Sequence, residues 1–213
     1  MKGLLIKDFN LLKKRGIFLL VFIVGYTVYQ LGTFNMEWAV GFGTLMIAMF
    51  SLTTITYDEY ENGMPFLLTL PIRRNDYVRE KYVFGFLITT VTWILLVAAC
   101  FLFDIMIWRK DGGDFGVKLV ICAAYLVFVY FLISLQIPLK LKFAERSGIV
   151  TTIVVVIIGV FCSIVYIEFE YGVNFLELGL DWNVVAAGAI VVLLALMLVF
   201  YRWAVRIMEK REF

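Results

Sequence analysis

The sequence predicts an all-α integral membrane protein: six transmembrane helices, an N-terminal amphipathic interfacial helix, and a short cytoplasmic helix between helices 2 and 3. Three observations predict it. Apolar residues make up 63% of the 213 residues and charged residues only 17%, whereas soluble domains run at about 45–50% and 25%. The apolar residues are gathered into continuous runs long enough to cross a bilayer, which takes ~20 residues. Lys and Arg are also segregated between alternate connecting segments, as in multi-pass proteins. Continuous runs indicate helices, which pair their backbone groups within each segment; a barrel would alternate.

The elements follow in order. Residues 1–15 place Leu4, Leu5, Phe9, Leu11 and Leu12 on one broad face, with Lys7, Lys13 and Lys14 elsewhere. That pattern fits a basic amphipathic helix on the membrane surface, with lipid as its partner. Asp8 interrupts the stripe. The spans are expected at Gly16–Phe34, Trp38–Thr56, Tyr82–Trp108, Val117–Ile137, Ile149–Ile167 and Asn183–Trp203. Small residues in the second span (Ala39, Gly43, Thr44, Ala48) and the sixth (Ala186 to Ala189) allow close helix contact. Pro138–Gly148 reads as a short basic connection between spans four and five. No internal repeat or low-complexity linker divides the chain, so residues 1–213 are expected to form a single domain. Cys100, Cys122 and Cys162 all fall within apolar runs and read as small apolar fillers, not a disulfide framework.

Orientation follows from charge. With the N-terminus in the cytoplasm, sixteen of the nineteen basic residues lie on the inner side; only Arg109, Lys110 and Lys118 lie outside. Both termini are therefore expected in the cytoplasm and the protein in the cell membrane. The last outer segment carries Glu168, Glu170, Glu177 and Asp181 with no basic residue between them, interleaved with Phe169, Tyr171, Phe175 and Trp182. These four carboxylates are a candidate exit-side contact for a cationic amphiphile, against the plainer reading that they only keep the loop solvated.

Residues 57–81 are the most informative stretch. Nine charges surround the apolar run Phe66-Leu67-Leu68-Thr69-Leu70. That run is too short to span. Pro65 suits the first turn of a helix and Pro71 would end it. A short greasy helix held outside the hydrocarbon needs a partner or a surface. Gly63 is expected to turn the chain through a left-handed cap, Asn75 to cap the third span's helix, and Asp76 to sit in its first turn.

Several chemistries are excluded. The chain has no histidine, which removes Ser-His and Cys-His dyads and His-ligated zinc. It has no Gly-x-x-x-x-Gly-Lys, so it cannot hydrolyse nucleotide through a P-loop. Apart from Asp104, near the outer end of the third span, charge within the spans is nearly absent, and no acidic pair or proton relay is visible. The chain is thus not expected to be an enzyme by itself, nor to bind nucleic acid or a cofactor of its own.

Three stretches stand out together: Met1-Lys2-Gly3-Leu4-Leu5-Ile6-Lys7-Asp8; Asp58-Glu59 … Gly63 … Leu68-Thr69-Leu70-Pro71-Ile72-Arg73-Arg74 … Tyr77-Val78 … Lys81-Tyr82; and Pro138-Leu-Lys-Leu-Lys-Phe143, followed by Ala144. With them the layout resembles the permease subunits of type-2 ABC exporters, in the branch that includes the phenol-soluble-modulin and bacteriocin-resistance exporters, where glycine often stands in place of Ala144. The resemblance implies that residues 57–81 form a coupling loop, whose helix docks on a separate cytoplasmic ATPase that binds the ATP. Its candidate coupling residues are Asp58, Glu59, Gly63, Phe66, Leu67, Leu68, Leu70, Pro71, Arg73, Arg74 and Lys81. Arg73, Arg74 and Lys81 are expected to meet acidic groups of the ATPase or lipid phosphates. It further implies pairing with a second permease copy and export of amphipathic peptides or similar hydrophobic substrates. The rival class is a membrane scaffold or sensor subunit that transports nothing.

Overall fold

The computed structural model describes residues 2–32, 36–60, 63–107, 115–143, 148–150, 152–153, 156 and 182–211. Its helices are α1 (Lys2–Gly32), α2 (Met36–Ser51), α3 (Thr53–Glu59), α4 (Gly63–Thr69), α5 (Arg74–Ile107), α6 (Phe115–Phe143) and α7 (Trp182–Lys210). Among the described residues there is no strand.

Four stretches are long and apolar enough to cross a membrane: Glu37–Glu59, Arg74–Phe103, Lys118–Phe143 and Val191–Lys210. They match the expected second, third, fourth and sixth spans. The expected first span is represented by a shorter apolar stretch, Leu20–Gln30 within α1. Most of the expected fifth span, and all of Glu168–Asp181, lie outside the described residues.

Three expected boundaries move. Residues 1–15 were to end before the first span, yet α1 runs unbroken from Lys2 to Gly32. Nothing at Arg15-Gly16 stops a helix, since a lone Gly costs only ~1 kcal/mol. At the other connection, α6 continues through Pro138 to Phe143, so the first part of the expected Pro138–Gly148 loop is helical. Proline removes the hydrogen bond to the carbonyl four residues earlier. That carbonyl belongs to Ser134, and the Tyr82 hydroxyl donates to it at 3.1 Å. The third change is a break between α2 and α3 at Leu52. Ser51, Thr53 and Thr54 donate their hydroxyls to carbonyls three residues back, at 2.7, 2.6 and 2.9 Å. Such bonds compete with the helix ladder and bend it. The Lys140 ammonium donates to the Leu52 carbonyl at 3.0 Å.

α2 is the central helix and packs against α1, α5 and α6, while α7 lies on α5 and α6. Its small residues permit this. Ala39, Thr44 and Ala48 are fully buried, and a Cβ on Gly43 would fall 2.5 Å from the Leu96 side chain. The matching residues of the sixth span have no described side chains. The outward faces of α5 and α7 are apolar (Leu87, Val91, Ile94, Leu95; Val191, Leu198, Val199), as lipid-facing surfaces require.

Each of α1 to α7 contributes to one core at the end of the bundle where α3 and α4 lie. It includes Leu4, Ala48, Ile55, Met64, Leu67, Tyr77, Ile137, Leu141 and Met208. A second cluster contains Ala39, Val40, Cys100 and Cys122. Both cysteines there are buried and free, in keeping with their reading as fillers. Cys162 lies outside the described residues, and so does the Asp104 side chain.

Candidate functional site

The segment between the second and third spans folds as α3, α4 and the first turns of α5. α4 is bounded as its prolines require. Pro65 sits in its first turn and the helix ends at Thr69. The Ile72 amide then donates to the Leu70 carbonyl at 2.6 Å, a tight turn centred on Pro71.

α4 has two faces. Met64 and Leu67, the latter 8% exposed, are anchored in the chain's own core, and Leu68 and Ile72 pack partly against it. Phe66 and Leu70 face outward at 73% and 47% exposure. Tyr60, Pro71 and Arg73 are also exposed at this end. The apolar run is therefore not a peg exposed along its whole length. Three- and four-residue spacing divides it into an anchor and a free edge.

The glycine at the head of α4 is required for a reason other than the expected one. Gly63 is the first helical residue and does not adopt the left-handed conformation. A Cβ there would lie 2.9 Å from the Asp58 carbonyl oxygen, a backbone atom that cannot swing aside. Asn75 likewise is not a cap. α5 begins at Arg74, which places Asn75 inside the first turn beside Asp76, and its side-chain oxygen accepts from the Tyr201 hydroxyl at 3.4 Å.

Behind α4 lies a buried ion cluster. The Lys81 ammonium pairs with Asp8 and, at 2.8 Å, with Asp58. It also donates to the Thr54 hydroxyl at 3.2 Å and lies over the Tyr77 ring. Lys7 pairs with Asp58 and lies 3.3 Å from the second Asp8 oxygen. The Tyr77 hydroxyl donates to Asp58 at 3.0 Å. Glu80, also buried, sits 3.9 Å from Lys81. Lys7, Asp8, Asp58 and Lys81 thus offset their withdrawal from water by pairing, whereas both Glu80 carboxylate oxygens are buried without a hydrogen-bond partner among the described residues. The cluster joins α1 to α3 and α5.

A second set of contacts ties down the C-terminal end of α7. Arg74 donates to the carbonyls of Met208, Glu209 and Arg211 at 3.2, 2.8 and 2.9 Å, acceptors that a helix end leaves without internal partners. Arg211 pairs with Glu59 at 2.6 Å and donates to the Leu141 carbonyl at 3.1 Å.

The predicted coupling residues thus divide. Phe66, Leu70, Pro71 and Arg73 form an outward surface. Asp58, Glu59, Arg74 and Lys81 bind the chain to itself. Lys81, at 2% exposure, corrects the expectation that it meets an ATPase or lipid phosphates: Asp8 and Asp58 occupy it. Lys7, Asp8 and Tyr77 belong to this site although sequence spacing does not assign them to it. The exit-side candidates Glu168, Glu170, Glu177 and Asp181 lie outside the described residues. Among the described residues no group of His, Cys, Asp or Glu side chains is arranged to hold a metal ion.

The family model of the ABC-2 family transporter proteins matches residues 3–209, nearly the whole chain. The chain belongs to this family. Neither the curated proteins nor the solved structures yield a match. An ABC-2 transporter protein is a multi-pass transmembrane subunit of an ABC transporter and not itself the ATPase. Membership therefore implies association with an ABC ATPase subunit.

Proposed function

We propose that this ABC-2 protein is the permease of an ATP-driven exporter in the cell membrane, and that the outward edge of α4 is where a cytoplasmic ATPase docks. Two permeases, identical or related, pair around the transport path, and each engages one ATPase. The cargo is an amphipathic peptide or a similar hydrophobic molecule, as the resemblance to the modulin and bacteriocin-resistance exporters suggests.

One observation carries the reading: α4 is fastened to the core through Met64 and Leu67 while Phe66 and Leu70 stand free. A rigidly seated helix with an uncovered aromatic and aliphatic edge can transmit the closure of a partner into the bundle. Arg73 beside it supplies a charge for orientation, worth little in affinity at an exposed rim. The test is Phe66→Asp with Leu70→Asp in the full chain. A carboxylate cannot be buried unpaired in an apolar groove, so the variant should insert normally, fail to copurify the ATPase, and lose export. Normal ATPase association and transport would remove α4 as the docking element.

A further inference from the structure

A cavity of 580 Å³ opens between α5, α6 and α7, within the range of ligand pockets of about 300–1,000 Å³. One wall carries Phe86, the other Leu194, Met197 and Leu198, with Arg79 at one end. The two helices run antiparallel here: Tyr82 meets Tyr201, and Arg74 meets the carbonyls of Met208 and Glu209. From Arg79 to Phe86 the cleft therefore descends about 10 Å along α5, at 1.5 Å per residue, toward the middle of the bundle.

The polar groups of the lining are satisfied, with one exception. The Tyr82 hydroxyl bonds the Ser134 carbonyl, the Ser134 hydroxyl bonds the Tyr130 carbonyl, and the Tyr201 hydroxyl bonds Asn75. Arg79 is exposed and makes no ion pair or hydrogen bond with any described residue. The neighbouring Glu80 is turned into the buried cluster. Among the described residues the cleft thus presents an apolar trough with one cation at its head, Arg79, that no described group engages.

We infer that this cleft binds an anionic phospholipid from the membrane leaflet at the Arg79 end, its phosphate on the Arg79 guanidinium and one acyl chain laid between α5 and α7. Charge complementarity and the amphiphilic gradient select this occupant. A guanidinium matches phosphate oxygens in planar fork geometry, and basic pockets between transmembrane helices hold anionic head groups. The trough below the head group offers aromatic and aliphatic surface but no free donor for a polar chain. Reading the site as lipid-binding requires neither the proposed cargo nor the proposed ATPase contact.

The experiment places the full chain in phosphatidylcholine nanodiscs with trace photoreactive phosphatidylglycerol or photoreactive phosphatidylcholine of identical acyl chains, and maps the labelled peptides. The wild type should be labelled around Met197 and Leu198 several-fold more by phosphatidylglycerol than by phosphatidylcholine. Arg79→Gln should bring the anionic lipid down to the phosphatidylcholine level, and Arg79→Lys should keep most of the preference. Leu198→Trp, which fills the trough, should lower labelling by both lipids. Equal labelling by the two lipids in the wild type would overturn the assignment. So would a preference that survives Arg79→Gln, or labelling of the cleft no stronger than that of the outward residues Val21 and Val24 on α1. A photoreactive amphipathic peptide that labels the cleft and is not displaced by phosphatidylglycerol would reassign it to cargo.

Discussion

At the scale of single residues, Tyr82 shows how a local defect is repaired from a distance. Pro138 is plain in the sequence, and so is its habit of ending helices. What is not legible is that α6 continues past it, because the repairing hydroxyl comes from a residue more than fifty positions earlier. Removing that hydroxyl with Tyr82→Phe leaves the Ser134 carbonyl buried without a partner, a loss of about 1–3 kcal/mol. Pro138→Ala restores an amide that can reach the same carbonyl. Tyr82→Phe should therefore cost measurably less in the Pro138→Ala background, read as a double-mutant cycle of thermal unfolding in detergent. Equal costs in both backgrounds would mean that the tyrosine does not serve the proline gap. Asp8 teaches the complementary lesson. Its place on the Leu4 and Leu11 face marks a carboxylate pointed toward an interior. Only folding discloses the ammonium that receives it, since Lys81 lies far along the chain.

At the scale of elements, the limits of α4 were legible because proline acts locally. The division of its apolar residues into anchor and edge was not, because that depends on which side the core lies. The ion cluster behind it is a joint among α1, α3 and α5. Taking away one partner of a buried pair typically costs 3–5 kcal/mol, and removing both members costs far less. Lys81→Met leaves Asp8 and Asp58 with Lys7 as their only cation and should destabilise the protein by about that amount. Adding Asp8→Asn to Lys81→Met leaves Lys7 opposite Asp58 and should recover much of the loss. Thermal unfolding of the two purified variants checks this. If the double variant is no more stable than the single one, charge balance is not what the joint depends on.

At the scale of the whole molecule, the hydropathy pattern was the strongest guide. Four of the six expected spans coincide with stretches long and apolar enough to cross a membrane, one of them broken at Leu52. The basic residues nonetheless serve two ends. Lys81 and Lys140 count toward the inner-side excess, and both are spent inside the fold, on carboxylates and on a backbone carbonyl. The charge bias predicts that cysteines introduced at Lys13, Asn75, Glu145 or Lys210 resist an impermeant reagent in intact cells, whereas those at Asn35, Gly113 or Asn174 react. The opposite pattern would invert the topology.

The joint that binds Lys7 and Asp8 to Asp58 and Lys81 also has a meaning in time. A ribosome makes the first two residues well before the last two, with two expected membrane crossings between them. Lys7 can meet Asp58 once the second segment has been made, but Asp8 gains a second ammonium only when Lys81 follows. The complete cluster therefore cannot close before the chain has been made as far as Lys81.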